Sequence, residues 1–429
     1  MRGLLPGVLL LLLPLTPATA QTLRDNVRSL FIFGSCGEPL CLDVDQAVHG
    51  RHFIPAIETG GANVLSFVTN AISVTIASVP ISAATSGAVW GKSETGLPVR
   101  TETSAGPVFA ERAQTLGRGH ALVGVNVSYF DFTTLRGVPL SGLIFDFAHQ
   151  DQDPSGLGNP IFENDVLEVR TDLDVSLFSA TAVLTYGLLD AVDLGVAVPL
   201  VRTSIKGTSQ AQLFPFDPST PHRLGTDANP SLTATTNTDG SATGIGDMTA
   251  RLKARVVQGD RVGLALVGEV RFPTGKEEDL LGTGDYAARG VGIISARYGN
   301  FTPHANLGYI YQKADFQNDA FLATVGFDQL LGGGATFAAD VISAWQVGDA
   351  ELLQSPPVVL NTPVGPATSA RIIPPSNIPE RRDNVVVGSF GFKFTAPTGI
   401  TAVTNALIPI RRGFLQPDVA WTAGLEYTF

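Results

Sequence analysis

The strongest constraint on this chain is an alternation of apolar and polar residues that runs from residue 120 to residue 429. Successive side chains of a strand point to opposite faces, so a period of two predicts strands with one oily face. We read such segments at about 120–132, 165–187, 192–206, 245–258, 261–272, 287–297, 301–314, 317–329, 334–347, 384–396, 399–410 and 417–429. An even number of strands suits a closed antiparallel barrel, and here the number is twelve. The pattern therefore predicts an all-β membrane fold, a twelve-stranded antiparallel outer-membrane β-barrel over residues 120–429.

The connections between these segments alternate in length. Tight turns such as Gln258-Gly259-Asp260 and Tyr298-Gly299-Asn300 alternate with long connections such as 207–244 and 348–383, although 315–316 and 411–416 are short. Outer-membrane barrels have short periplasmic turns and longer outer loops. We therefore expect both ends of the barrel on the periplasmic side.

The segment 165–187 changes parity partway along its length. Its apolar positions are odd-numbered as far as Leu177 and even-numbered from Phe178 onward. A β-bulge produces such a one-residue slip, and so would a division into two strands, which would spoil the even count.

Inward-facing charges are the candidate functional residues of the barrel. With the bulge, the second segment contributes Glu168, Arg170, Asp172 and Asp174, and the fourth and fifth segments contribute Asp247, Arg251, Lys253, Arg255, Glu269 and Arg271. Opposite charges inside a barrel pair across strands or hold a plug, or else they contact a solute directly. The sequence favours the structural role.

Residues 1–20 are typical of a secretory leader. Arg2 supplies the positive charge, an apolar run follows, and Ala18-Thr19-Ala20 resembles a cleavage site. The best later apolar stretch, 64–79, contains Ser66, Asn70, Ser73 and Ser78 and stops at Pro80, so it is too short for a membrane-spanning helix. The sequence therefore predicts export to the bacterial outer membrane.

Residues 21–119 do not alternate. Their apolar residues Val64, Phe67, Val68, Ala71, Ile72 and Val79 are spaced by three and four, which predicts a short helix of about four turns. We expect this segment to form a plug or hatch in the lumen. A periplasmic location and a partly disordered arm are the alternatives, and the apolar content argues against disorder.

Cys36 and Cys41 are the two cysteines of the chain. In an oxidising compartment this spacing indicates a disulfide that closes a small turn. A metal site with His49 and His52 is the alternative, but it would need more soft ligands nearby.

Catalysis and nucleic-acid binding are both disfavoured. The formal net charge is −11, which is unlike that of a nucleic-acid-binding protein. His120, His149, His222 and His304 are scattered in the sequence, and no G-x-S-x-G motif occurs. We therefore predict no enzymatic activity, no cofactor, no metal and no nucleic-acid partner.

Two sets of residues resemble known families. The ending from Thr422 to Phe429, with Gly424, Tyr427 and Phe429, resembles the C-terminal assembly signal of outer-membrane barrels. The motifs Tyr186-Gly187-Leu188, Gly244-Ile245-Gly246-Asp247-Met248, Arg271-Phe272-Pro273-Thr274-Gly275 and Gly282-Thr283-Gly284 are similar to those of the outer-membrane transporters named for the MetA pathway of phenol degradation. These transporters are relatives of FadL-like channels, and the resemblance covers about residues 165–429.

The resemblance implies passive uptake of hydrophobic or aromatic small molecules, with the N-terminal segment acting as a hatch. FadL-like chains have fourteen strands rather than the twelve read here, and the cysteine pair has no counterpart among them. The expected partners are a small hydrophobic solute, outer-membrane lipid and lipopolysaccharide, and the barrel-assembly machinery. The alternative function is a structural or adhesive barrel with a closed plug that acts through its surface loops.

Overall fold

A computed structural model describes residues 21–44, 50–58, 64–77, 90–92, 98–100, 105–150, 164–216, 222–314, 316–350, 354–364 and 367–429. The expected leader, 1–20, and Val79 lie outside these residues. Among the helices described, none is long and apolar enough to cross a membrane.

Twelve strands form one closed antiparallel barrel. They are β1 Ala121–Leu135, β2 Val166–Leu189, β3 Val192–Phe214, β4 Met248–Gln258, β5 Val262–Phe272, β6 Ala287–Ala296, β7 Phe301–Gln312, β8 Ala320–Gly332, β9 Ala335–Gln346, β10 Val385–Thr395, β11 Ile400–Arg411 and β12 Ala420–Thr428. Each strand pairs with the next, and β12 pairs with β1 to close the ring. All twelve predicted segments are confirmed as strands.

The two ends of the barrel differ as the sequence predicts. Ala121 and Phe429 exchange backbone hydrogen bonds of 2.8 and 2.9 Å at the end that also carries the tight turns near residues 190, 259 and 299. We call this the turn end and the opposite end the loop end. In outer-membrane barrels the turn end faces the periplasm.

The outer face of the barrel carries an apolar band. Large exposed side chains point outward from strands all around the ring, among them Leu184, Leu200, Leu266, Phe321 and Trp421. A transmembrane strand needs about 9–11 residues, whereas β2 has 24 and β3 has 23. Their remaining residues therefore project beyond the band at the loop end.

The projecting part contains strands that the sequence reading missed. Leu143–Ala148 pairs with the loop-end half of β2, and Thr233–Ile245 pairs with the loop-end half of β3. Further short strands are Val138–Pro139, Leu224–Thr226 with Asn229–Ser231, Val358–Val364 with Ala367–Ile373, and Leu415–Pro417. Trp90–Lys92 pairs with Pro98–Arg100 in a separate two-stranded sheet.

The predicted bulge in 165–187 is wrong, and so is the alternative of two strands. Pairing of β2 with β1 is continuous from Val175 to Tyr186, and odd-numbered side chains face inward along almost the whole strand. What changes at Phe178 is the surroundings. From Phe178 toward the turn end, the outer face of β2 is part of the apolar band. From Phe178 toward the loop end, the inner face packs on buried apolar side chains such as Leu30 and Phe31.

The described residues of the N-terminal segment form three helices, α1 Leu23–Ser29, α2 Ile54–Glu58 and α3 Val64–Ala77. Thr22 and Asp25 form a capping box that starts α1. The predicted apolar face of α3 is confirmed for the five described positions, which are all buried. These helices share one hydrophobic cluster with Leu173 of β2 and Ile205 of β3, in the loop-end half of the barrel.

The predicted disulfide between Cys36 and Cys41 is confirmed. The Asp43 carboxylate accepts hydrogen bonds from the backbone N–H groups of Ser35 at 2.7 Å and Cys36 at 3.1 Å. The disulfide and this carboxylate together fix the turn that follows α1.

Candidate functional site

The inner wall of β4 and β5 carries the predicted charges of that region. Arg251 and Lys253 point inward from β4, and Lys253 is 1% exposed. Glu269 of β5 forms an ion pair of 2.9 Å with Arg289 of β6. Arg255, nearer the turn end, donates to the Asp190 carbonyl at 2.9 Å.

Asp247 and Arg271 lie toward the loop end of the same wall. The Asp247 carboxylate accepts hydrogen bonds from the backbone N–H groups of Gly275 at 3.0 Å and Thr283 at 3.1 Å. Its oxygen lies 3.8 Å from Arg271 Nε. Asp247 therefore holds the loop between β5 and β6 in place.

Glu111 joins the N-terminal segment to this wall, and the sequence reading missed it. Its carboxylate contacts Arg251 and lies 3.0 Å from Lys253 Nζ, while its side chain is only 13% exposed. Burial raises the pKa of the Glu111 carboxyl, but the charges of Arg251 and Lys253 outweigh burial and lower the pKa to about 2. The Glu111 carboxylate is therefore ionised and pairs with both cations, and we call this set of contacts the latch.

Other contacts of residues 105–120 also reach strand residues near the turn end. We call these residues the turn-end layer. The Arg112 guanidinium forms a buried ion pair with Asp328 of β8. The backbone N–H of Ala113 donates to Ser295 Oγ at 3.0 Å, and that of Leu116 donates to the Asp193 carboxylate at 3.0 Å. The layer is thus anchored to β3, β4, β6 and β8.

Gly187 allows this layer to approach the barrel closely. Gly119 N–H donates to the Gly187 carbonyl, and Gly187 N–H donates to the His120 carbonyl, both at 2.9 Å. A Cβ at Gly187 would lie 1.9 Å from the Gly117 carbonyl oxygen. Any larger residue would therefore displace the layer.

The histidines are not all scattered. His304 is fully buried on the lumen side, with Nε2 2.7 Å from Asp340 Oδ1 and Nδ1 3.8 Å from Asp328 Oδ1. Carboxylates of two neighbouring strands therefore surround the His304 ring. His149 and His222, which are far apart in the sequence, meet His52 at the loop end.

A cavity of about 390 Å³ lies inside the barrel. It extends between the last turn of α3, at Thr75 and Ile76, and Glu111 of the turn-end layer. One part of its wall is charged and includes Arg251, Glu269, Arg271 and Arg289. The larger part is apolar and includes Phe130, Phe132, Leu177, Val201, Leu407 and Phe414.

The four predicted lumen charges of β2 do not reach this cavity. Arg170, Asp172 and Asp174 are exposed on the outer face of the projecting half of β2, where Glu168 also lies, 2.7 Å from Arg170. The prediction that these four side chains face the lumen is wrong, because it depended on the predicted bulge. Above the apolar band the outer face meets water, so polar residues belong outside.

The proposed assembly residues lie at the closing strand. Tyr427 and Phe429 are exposed on the outer face, with ring centroids 5.6 Å apart. Gly424 faces inward, where a Cβ would lie 2.0 Å from the Asn126 side-chain oxygen. The two aromatic rings thus extend the outer apolar band at the turn end.

Several solved outer-membrane proteins are similar to this chain at low sequence identity. An outer membrane channel from Pseudomonas putida F1 is 10% identical to this chain. The match covers 75% of this chain and 100% of the channel, with a TM-score of 0.42. A Pseudomonas aeruginosa FadL homologue is 12% identical, with coverages of 72% and 90% and a TM-score of 0.31. The CymD monoaromatic hydrocarbon channel is 11% identical, with coverages of 73% and 88% and a TM-score of 0.33.

No protein-family model matches the chain, and no curated protein matches it. Structural likeness at these TM-scores does not identify a function. A functional proposal therefore rests on the geometry of the lumen.

Proposed function

We propose that this protein is an outer-membrane channel for passive uptake of hydrophobic or aromatic small molecules. The observation that carries the proposal is the mainly apolar cavity inside a closed barrel. Its volume lies within the range of about 300–1,000 Å³ that is typical of small-molecule sites. The sequence resemblance to MetA-pathway transporters implies the same class of solute.

The stacked pair Phe130 and Phe132 gives the cavity an aromatic wall. Their ring centroids are 6.0 Å apart at an interplanar angle of 15°, and both rings face inward from β1. Burial contributes about 0.8 kcal/mol per CH₂-sized group, so a six-carbon solute would gain about 5 kcal/mol. This corresponds to a dissociation constant of about 0.2 mM, which is weak enough for release.

The segment 21–119 acts in this proposal as the hatch. Its helices pack in the loop-end half, and its turn-end layer is bound to strand residues at the opposite end. In this proposal a solute leaves the cavity toward the turn end when part of this segment moves. Glu111 lies both on the cavity wall and in the latch, so its release would open the path.

Uptake by liposomes containing the purified protein tests the proposal. Wild type should admit an aromatic hydrocarbon faster than protein-free liposomes do, and Phe132→Thr should slow this uptake several-fold. The matched control is Phe178→Thr, because Phe178 is an outward, 42% exposed phenylalanine on the neighbouring strand. No uptake above that of protein-free liposomes would contradict the channel and support a closed structural or adhesive barrel. Equal uptake by both variants would contradict the role of the aromatic wall.

A further inference from the structure

Three histidines from distant parts of the chain meet at the loop end. His52 lies just before α2, His149 follows the strand Leu143–Ala148, and His222 lies between β3 and the strand Leu224–Thr226. Each is at most 9% exposed, and one ring nitrogen from each lies within 4.8 Å of the others. The geometry points to a metal site: we propose that His52, His149 and His222 bind one divalent transition-metal ion, with Zn²⁺ as the best fit.

The three imidazole rings lie at similar distances from one another. Their centroids are 4.5 Å apart for His52 and His149, 4.7 Å for His149 and His222, and 5.6 Å for His52 and His222. Zn–N bonds of about 2.0–2.1 Å in a tetrahedral site place ligand nitrogens about 3.4 Å apart. The ligand nitrogens lie within 4.8 Å of one another, a range that includes this spacing.

Asp165 supplies the partner that a metal-binding histidine needs. The His222 Nδ1 atom lies 2.7 Å from Asp165 Oδ2, so the ring donates to the carboxylate and Nε2 carries the lone pair. The carboxylate is itself fixed by the backbone N–H groups of Phe216 at 2.6 Å and of His222 at 3.2 Å. Such a carboxylate–histidine pair orients the ring and makes the ligating nitrogen more basic.

The backbone also preorganises the other two ligands. His149 N–H donates to the Asp165 carbonyl at 3.1 Å, and Gln150 N–H donates to the His52 carbonyl at 2.9 Å. The Phe53 ring packs edge-on against the rings of His149 and His222, with centroid distances of 6.0 and 5.4 Å. The three histidines are therefore held by contacts that do not depend on the ion.

A direct hydrogen bond is the competing explanation for two of the rings. His52 Nδ1 and His149 Nε2 are 2.5 Å apart, a distance at which they share one ring proton. Metal binding requires that proton to leave this position for the other nitrogen of its own ring, by exchange with water, so both imidazoles stay neutral. A shared proton joins two rings, whereas a metal ion explains why all three converge.

The consequence of this site is a link between the N-terminal segment and the loop-end extension. His52 belongs to the former, and His149 and His222 belong to the latter. An ion bound by all three would fasten the helices to the barrel near its outer mouth. This inference does not depend on which solute passes, or on whether any does.

Equilibrium dialysis of the untagged full-length protein in detergent, stripped with a chelator and then exposed to Zn²⁺, tests the proposal. We expect one Zn²⁺ per chain and a raised thermal midpoint. His149→Gln and His222→Gln should lose at least tenfold in affinity, and Asp165→Asn should lose about 10–100-fold. The matched control is His120→Gln, because His120 lies at the turn end, away from the cluster.

Folding of each variant is checked by heat-modifiable migration on gels. A second measurement needs no variant: the Cu²⁺-loaded wild type should show coupling to three nitrogens by electron paramagnetic resonance. Absence of Zn²⁺ binding by wild type, unchanged affinity of the folded His149→Gln protein, or coupling to fewer than three nitrogens would overturn the proposal.

Discussion

Replacing Glu111 with glutamine removes a carboxylate that contacts both Arg251 and Lys253 and leaves two buried cations behind. The pKa of this carboxyl falls from 4.5 to about 2 in the folded protein, a difference worth about 3 kcal/mol in favour of the charged form. Removing one member of a buried ion pair costs a similar amount, about 3–5 kcal/mol. We therefore expect Glu111→Gln to raise the population with a detached turn-end layer about 100-fold.

Thiol labelling measures this population. Ala113 is 1% exposed and lies two residues from Glu111, so Ala113→Cys becomes reactive only when the layer detaches. Both natural cysteines are in the disulfide, so the introduced thiol is the reactive one. Labelling of Ala113→Cys should become about 100-fold faster when Glu111→Gln is added.

Glu277→Gln provides the control, because the Arg24–Glu277 pair also joins the N-terminal segment to the barrel. The side chains of this pair are 33% and 38% exposed, and exposed pairs contribute about 0–1 kcal/mol. This variant should accelerate labelling less than about fivefold. If Glu111→Gln changes the rate no more than Glu277→Gln does, Glu111 is not a latch.

Three further predictions concern other regions. Asp146 lies opposite Glu168, and burial and this like charge raise the pKa of the Asp146 carboxyl to about 6. The ionised carboxylate therefore weakens the fold above about pH 6. Asp146→Asn should raise the thermal midpoint at pH 8 but not at pH 4, and equal shifts at both pH values would contradict this prediction. Cys36 and Cys41 should resist labelling in the denatured protein until it is reduced, and labelling beforehand would show that the disulfide is absent. Deletion of Phe429 should lower the yield of heat-modifiable barrel, and an unchanged yield would count against an assembly role.

The barrel could be read from the sequence because its strands have one face toward lipid and one toward the lumen. Alternation reports that two faces differ, but it does not report which face is wet. At Phe178 the polarity of the two faces reverses while the parity of the strand continues. The shift in apolar positions therefore predicted a bulge, whereas its cause is the helical segment that packs on the inner face of β2 toward the loop end.

The contacts of Glu111 and the histidine cluster could not be predicted from periodicity. Glu111 lies in residues 105–120, which have no repeating pattern, and its partners are about 140 residues away. His52, His149 and His222 are separated by 97 and by 73 positions. The strands that extend β2 and β3 position His149 and His222, and docking of the N-terminal segment adds His52.

The two halves of the N-terminal segment should differ in how readily they move. The helices bury leucine, valine and phenylalanine side chains, each worth about 1.5–3 kcal/mol, in one shared cluster. The turn-end layer buries only small apolar clusters, around Val108, Ala113 and Leu116. Its other contacts are ion pairs and single hydrogen bonds whose groups water can solvate once they separate. Opening should therefore begin at the turn end, and Ala113→Cys should label much faster than a cysteine at Val27, which is fully buried in α1. Equal labelling rates would mean that the segment moves as one body, and slower labelling at Ala113 would place the moving part at the loop end.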